Sequence, residues 1–392
     1  MLKNRLGFSF LILLFLALLI YSGNVYFLVA TVVMLIMLVL LGIFINMDAA
    51  KLKVGVDARD GAREGERLPV YVNVNSKKRL IVAQSVYVEI DVENVMLGTV
   101  MQKKLRLMLT DSDKPYDISH TATACGEIRI HIRNARVYDM FHIWHKAIAM
   151  DADTYTVVYP RQMDIQLIMS GKTIGSNNDD GISQNKKGND HSEMYDLKDY
   201  VPGDDVRSIH WKLSSKADEL IIREPSNPSH YSVVILPDYG RQLLENGIDM
   251  AKKHLSTIVA AGAALGEELL KNGTFFCMAI PTDNGLELFE VQSQKDWMQV
   301  ISLWMSFPMQ NISGEGLEYF RMEHLAQYFT RLIVLSAGHY EQNLKGMENE
   351  LGVMLIESSD AEEYEYASIS HGIDMVSIPI DNDDTESYRI IC

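Results

Sequence analysis

The sequence predicts two N-terminal transmembrane helices, then a β-sandwich-like region, then an α/β region built on a largely parallel sheet. Three observations predict it. Residues 6–47 of the 392-residue chain contain no Asp, Glu, Lys or Arg. Short runs of alternating polarity fill residues 51–160, and apolar runs alternate with helix-length segments after residue 229. Period-two alternation marks a half-buried strand, whereas a strand covered on both faces reads as a continuous apolar run.

The uncharged stretch is broken only by Ser22, Gly23 and Asn24, which divide it into residues 6–21 and 25–45. A spanning helix needs about 20 apolar residues, with a lower limit near 17. The second segment meets this and the first sits at the short edge. Helices satisfy their own backbone groups in lipid, so residues 1–47 are expected to form a helical hairpin. A cleaved signal peptide is the alternative for the first segment, but Tyr21-Ser22-Gly23 is a poor small-x-small site. Lys3 and Arg5 flank one end of the hairpin, and Lys51 and Lys53 the other. Both ends lie on the same side, which the positive-inside rule assigns to the cytoplasm. The expected localisation is therefore the cell membrane, multi-pass, with the body facing inward.

Residues 51–160 hold LPVYVNV, QSVYVEIDV and EIRIHIR, which read as antiparallel strands of a small sandwich. Residues 171–192 have almost nothing to bury and read as a flexible linker. From residue 193 to 392 the pattern becomes strand and helix in alternation, beginning with the apolar run YSVVILP.

Composition excludes several classes. A net charge of −16 argues against nucleic acid, which demands a basic surface. Cys125, Cys277 and Cys392 are too dispersed for a disulfide framework or a CxxC metal site. No GxxxxGK[ST] run occurs, and Gly262 and Gly266 lie inside a helical stretch rather than after a strand. They are expected to allow close packing on the sheet. His142-Ile143-Trp144-His145 lacks partners at zinc-ligand spacing and reads as strand surface. The acidic run at 358–365 reads as a solvated loop. No cofactor is expected.

The most informative segment is residues 193–224. Pro202-Gly203-Asp204-Asp205 is a turn signal, and Asp204 or Asp205 can cap a short helix through Arg207 to Lys212. Residues 220–224 then read as a strand. The order Glu193, Leu197, Tyr200, Gly203-Asp204-Asp205, Arg207, His210-Trp211-Lys212, Lys216, Leu220, Glu224 resembles the signature of the domain of unknown function 58 family.

That resemblance implies a bacterial membrane protein whose signature leads into a von Willebrand factor A-like, Rossmann-type α/β domain. It further implies protein–protein interaction as a MoxR-associated type, with a cytoplasmic MoxR-type AAA+ ATPase as partner. Tyr200, Gly203, Asp204, Asp205, Arg207, His210, Trp211, Lys212 and Glu224 would be the partner-binding or structural residues, and no enzyme activity is expected. Two departures stand out. Lys198 replaces the usual Arg, keeping charge but losing the bidentate fork. Metal-binding A domains carry Asp-x-Ser-x-Ser after the first strand, whereas this chain has Asp238-Tyr239-Gly240-Arg241-Gln242. Hard cations want oxygen ligands, so Asp238 is only a weak metal candidate. The alternative function is a metal-dependent hydrolase using Asp204, Asp205 and His210. Oligomeric state is not legible.

Overall fold

A computed structural model describes residues 2–58, 61–76, 79–109, 115–151, 153–168, 194–201, 206, 209–217, 219–225, 233–337, 344, 347, 351–361, 364–369, 373–380 and 387–391. The linker expected at 171–192 lies outside them.

The first two elements are the apolar helices α1 (Leu2–Ser22) and α2 (Val25–Ala49). Gly23 turns the chain at φ +61°, and the Asn24 side chain accepts from the Tyr26 amide to start α2. Both helices are long and apolar enough to cross a membrane, over 20 and 25 residues. The far end of α2 is welded to the next region. Asp48, fully buried, accepts from the Ile81 and Val82 amides at 2.8 Å, from Ala83 at 3.1 Å and from Lys51 Nζ at 2.9 Å.

The β-rich region is two sheets closing on one core. One sheet runs Ala149–Asp151, Leu52–Asp57, Tyr71–Ser76, Tyr116–Asp117. The other runs Ala62–Arg63, Asp153–Tyr159, Gly126–Asp139, Ala83–Asn94, Thr99–Met108. Alternation along each strand sends Val54 and Val72 from the first sheet to meet Val88, Ile90 and Ile130 from the second. The strands run past the short motifs that announced them: Gly126–Asp139 has 14 residues and Ala83–Asn94 has 12. Polar positions such as Arg133 and Asp91 keep the pattern alive by pairing across strands at 2.5 Å.

His120 sits at the rim of this region. Burial, and secondarily the nearby Lys103, push its pKa below the ordinary histidine value. A depressed folded-state pKa means that the unfolded chain binds the proton more readily, so stability falls as pH drops through the range just below about 6.5. Thermal unfolding followed between pH 8 and pH 5 should show this loss, and His120→Asn should flatten it. An equal acid sensitivity in the variant would contradict the assignment.

The third region is a nine-stranded mixed sheet. Its order is Ile221–Pro225, Met194–Asp199, Gly285–Val291, Phe276–Thr282, Val233–Pro237, Arg331–Ala337, Gly352–Ser359, Ile373–Pro379, Glu365–Ile369. The run from Phe276–Thr282 to Ile373–Pro379 is parallel throughout. Val233–Pro237 is buried at all five positions, which is why its sequence is apolar without alternation.

Helices α4 (Ile248–Lys271) and α5 (Gln294–Trp304) cover one face, and α6 (Glu315–Met322) covers the other; α3 (Trp211–Ala217) belongs to the edge described below. A Cβ on Gly262 would meet Leu335 at 2.6 Å, and one on Gly266 would meet the Trp297 ring at 2.3 Å. The glycines therefore admit the sheet and α5 against α4, as expected. The β-rich region shares this core through Met96, Leu97 and Cys125. Glu127 N donates to Met305 O at 2.9 Å across the same boundary.

Several local expectations need correction. The long helix expected from 241 breaks at Gly247 (φ +100°), leaving a 3₁₀ turn at Arg241–Asn246 before α4. The stretch 358–365 is not loop throughout: Asp360 and Ala361 form an exposed bend, but its two ends lie in strands. Ser358 lies near the end of a buried parallel strand and is 1 % exposed, while Glu365 opens the antiparallel edge strand. His142 to Trp144 are a turn, not strand surface, and only His145 enters a strand. The strand Ser387–Ile391 returns to pair in parallel with Asp164–Ile168, a pairing that no local pattern announces.

Candidate functional site: the signature hairpin and the neighbouring strand ends

The segment singled out by its sequence adds a strand–helix–strand hairpin to the edge of the α/β sheet. Met194–Asp199 pairs in parallel with Gly285–Val291 through Met194 with Leu288 and Tyr195 with Phe289. Ile221–Pro225 pairs antiparallel outside it and ends on Pro225, a residue tolerated at a sheet edge because it has no N–H to leave unpaired. Between them, α3 begins at Trp211, later than the sequence implies. The reason is local. Ile209 bridges Ile222 and His210 N donates to Ile221 O at 2.8 Å, so the backbone is still extended there. The helix expected to run through Ile209 and His210 is therefore not formed at those two residues.

His210 caps α3. Its carbonyl accepts from the Leu213 and Ser214 amides at 3.0 Å, and its Nδ1 lies 3.4 Å from the Leu213 amide. Its ring is buried and tilted 36° to Phe289, with centroids 6.2 Å apart. Ser214 Oγ accepts from Ile221 N at 2.8 Å and locks the helix onto the edge strand. Lys212 Nζ donates to Ser306 O at 2.6 Å and lies 4.3 Å from the Phe307 ring centroid. Tyr155 Oη, from the β-rich region, donates to Ser215 O at 2.6 Å. Asp199 pairs with Lys295 of α5 at 2.9 Å and thereby raises the lysine's pKa. Tyr200 N donates to Leu220 O at 2.7 Å, closing the neck of the hairpin.

The hairpin is thus braced from three directions, and it leaves several large apolar side chains exposed among polar ones. Trp211 is 64 % exposed, Val201 59 %, Val206 57 % and Leu220 44 %. Isolated exposed apolar residues are ordinary; four within twenty positions of one braced segment make it a candidate contact surface. Of the remaining signature residues, Glu224 stands opposite Asp196 in the edge strand. Gly203, Asp204, Asp205 and Arg207 lie outside the described residues. The hydrolase alternative thus has only His210 among them, and that side chain is buried beside Phe289.

Asp238 follows the first parallel strand, where the sequence left a degenerate metal loop. It is fully buried. Its Oδ1 accepts from Gly314 N at 2.9 Å and its Oδ2 from Leu317 N at 2.8 Å, so the carboxylate caps α6. That end of a helix carries partial positive charge and free amides. The rest of the loop is stitched to the same segment: Gly240 N donates to Ser313 Oγ at 2.9 Å, and Ser313 N to Gln242 Oε1 at 2.8 Å. A Cβ at Gly240 would meet Ser313 N at 2.4 Å, so only glycine lets the two loops close this tightly. Among the described residues, no group of three or more His, Cys, Asp or Glu is placed to hold a metal ion.

Residues 196–313 match the family described as Protein of unknown function DUF58. The match opens in the hairpin's inner strand and closes on Ser313, the residue that stitches the Asp238 loop. The DUF58 segment therefore contains both the exposed hairpin and the capping carboxylate. No curated protein matches the chain.

Among solved structures, a cohesin module of a family 33 glycoside hydrolase from Clostridium perfringens ATCC13124 is 10 % identical, covering 28 % of this chain and 96 % of that one at a TM-score of 0.20. A CARDB domain from Pyrococcus furiosus is 20 % identical over 25 % and 86 %, with a TM-score of 0.17. A superoxide reductase (neelaredoxin) from Ignicoccus hospitalis is 13 % identical over 27 % and 85 %, with a TM-score of 0.17. Likeness at such scores carries no weight for fold or function.

One cluster escaped the sequence reading. His254, in the DUF58 segment, places Nδ1 2.8 Å from Ser358 Oγ and Nε2 3.0 Å from Asp360 Oδ1. These are the residue types of a hydrolytic triad. Ser358 is only 1 % exposed, however, so no substrate carbonyl reaches its Oγ in this conformation. The trio clips α4 to the carboxyl end of the Gly352–Ser359 strand. The apolar run preceding Ser358 was the available signal, since it marks a buried parallel strand whose end falls beside that serine.

Proposed function

We propose that this protein is a membrane-tethered interaction scaffold that presents the DUF58 hairpin to a partner complex on the cytoplasmic side. The observation that supports this best is the exposed Trp211, flanked by Val201, Val206 and Leu220 on a hairpin clamped by Lys212, Ser214 and Asp199. Binding hot spots favour Trp on pre-organised surfaces, because little side-chain freedom is lost on association. The family resemblance names a MoxR-type AAA+ ATPase as the partner. Orientation toward the cytoplasm rests on Lys3, Arg5, Lys51 and Lys53 at the two ends of the apolar hairpin.

What supports the A-like reading of the α/β region is its strand order. Numbered along the chain from Val233–Pro237, and leaving aside the edge strand Glu365–Ile369, six strands lie 3-2-1-4-5-6, with the third antiparallel. Helices on both faces make this doubly wound. In such sheets the crevice beyond the carboxyl ends of strands 1 and 4 is the usual ligand position. Here that crevice is occupied by Asp238 and its α6 cap, which favours a platform over a metal-dependent adhesion site.

The test is a pull-down of the tagged full chain from solubilised membranes with a non-hydrolysable ATP analogue. An AAA+ ATPase should be recovered with the native chain and lost with Trp211→Ala. Recovery of no AAA+ protein, with or without the analogue, would remove the partner assignment.

A further inference from the structure

The loop between the Gly126–Asp139 and His145–Ala147 strands is built with unusual care for a surface turn. Asp139, fully buried, accepts from Phe141 N at 2.7 Å, Ile143 N at 3.2 Å and Trp144 N at 2.5 Å. That carboxylate fixes the loop's shape and lets His142 adopt φ +54°. Ile143 turns inward, 5 % exposed, while Met140 (54 %), Phe141 (44 %) and Trp144 (40 %) turn outward. Three large apolar side chains on a rigid tip need an apolar neighbour.

The tip lies against the apolar hairpin. Asn4 Nδ2 donates to Phe141 O and Arg5 Nε to Ile143 O, both at 2.8 Å. Trp144 Nε1 donates to Leu38 O at 3.1 Å, and its ring lies 3.5 Å from where a Cβ on Gly42 would stand. These contacts set the depth of the loop. At about 1.5 Å per residue, Gly42 and Leu38 lie roughly 6 and 12 Å back along α2 from Asn46, where the apolar segment ends. A hydrocarbon core is about 30 Å thick, and amphipathic elements seat themselves about 5–10 Å into the boundary. With the bilayer boundary set at Asn46, the indole falls in the layer that amphipathic elements reach, and its N–H is already satisfied by α2. Burial first, then Arg106, lowers the pKa of His142; burial, then Arg136 and Arg5, lowers that of His145. Both rings favour the neutral form, and Arg5 itself is turned onto the loop, over the Trp144 ring.

We propose that the 140–144 loop is a second membrane contact: a wedge that seats Met140, Phe141 and Trp144 among the lipid chains beside the hairpin. The β-rich region is then held flat on the bilayer, and the DUF58 hairpin is presented at a fixed height instead of swinging on a tether. This rests on the membrane-spanning reading of α1 and α2.

The experiment uses the full chain, with Cys392→Ser, in vesicles of phosphatidylethanolamine and phosphatidylglycerol. Nitroxide labels are placed singly at Phe141→Cys, at Val33→Cys on the exposed side of α2, and at Ile312→Cys on the exposed surface of the α/β region. Cys125 and Cys277 are buried and stay unlabelled. Relaxation by oxygen against a water-soluble nickel chelate then reads depth. Oxygen-dominated relaxation at 33 and 141, with nickel-dominated relaxation at 312, is the result expected. Oxygen at 33 with nickel at 141 would overturn the wedge while leaving the span intact. Nickel at both 33 and 141 would overturn the span and the wedge together.

Discussion

Asp238→Ala is expected to lower the stability of the full chain by about 2–4 kcal/mol, because it strips a buried carboxylate from two amides, one buried and one part-buried. Those amides belong to Gly314 and Leu317, at the start of α6. Losing them uncaps the helix that covers one face of the sheet through Leu317 and Phe320. Asp238→Asn should recover little, since an amide nitrogen must face one of the two N–H donors. Urea unfolding in detergent reads both variants. If Asp238 were instead held by a bound cation, a chelator would destabilise the native chain to a similar degree. The cap geometry predicts indifference to chelator, and near-native stability of Asp238→Ala would contradict it.

Trp211→Ala is expected to separate folding from function. At 64 % exposure the indole contributes little to the core, so stability should change by less than about 0.5 kcal/mol. Partner affinity should fall about 30-fold or more, the loss of about 2 kcal/mol that defines a hot spot. His210→Ala is the contrasting variant. It removes a buried ring beside Phe289 together with the Nδ1 contact to the Leu213 amide, so it should destabilise the hairpin as well as weaken binding. A Trp211→Ala chain that melts early would mean that the side chain braces the fold and is not held out for a partner.

Much of the fold was legible because one-dimensional pattern follows burial. Val233–Pro237 and Arg331–Ala337 are covered on both faces and read as apolar runs, whereas Gly126–Asp139 is half-buried and alternates. What stayed hidden depends on partners distant in sequence. Asp238 resembles a worn metal ligand until Gly314 and Leu317, 76 and 79 positions away, are seen to donate to it. Ser358 sits in an acidic run that resembles solvated loop, yet its hydroxyl meets a histidine 104 positions away. The start of α3 was misjudged because Ile209 and His210 have ordinary local preferences, and pairing with Ile221 and Ile222 overrides them. The signature residues were found by their order alone. Order did not separate those that build the hairpin, His210 and Lys212, from the one it exposes, Trp211.

The proposed partner capture turns on that distinction, and photo-crosslinking reads it directly. Benzoylphenylalanine at position 211 of the full chain, irradiated in native membranes, should join the protein to an AAA+ ATPase. The same probe at exposed Ile312 should not. Crosslinks from 211 only to lipid or to the chain's own segments would contradict the scaffold reading.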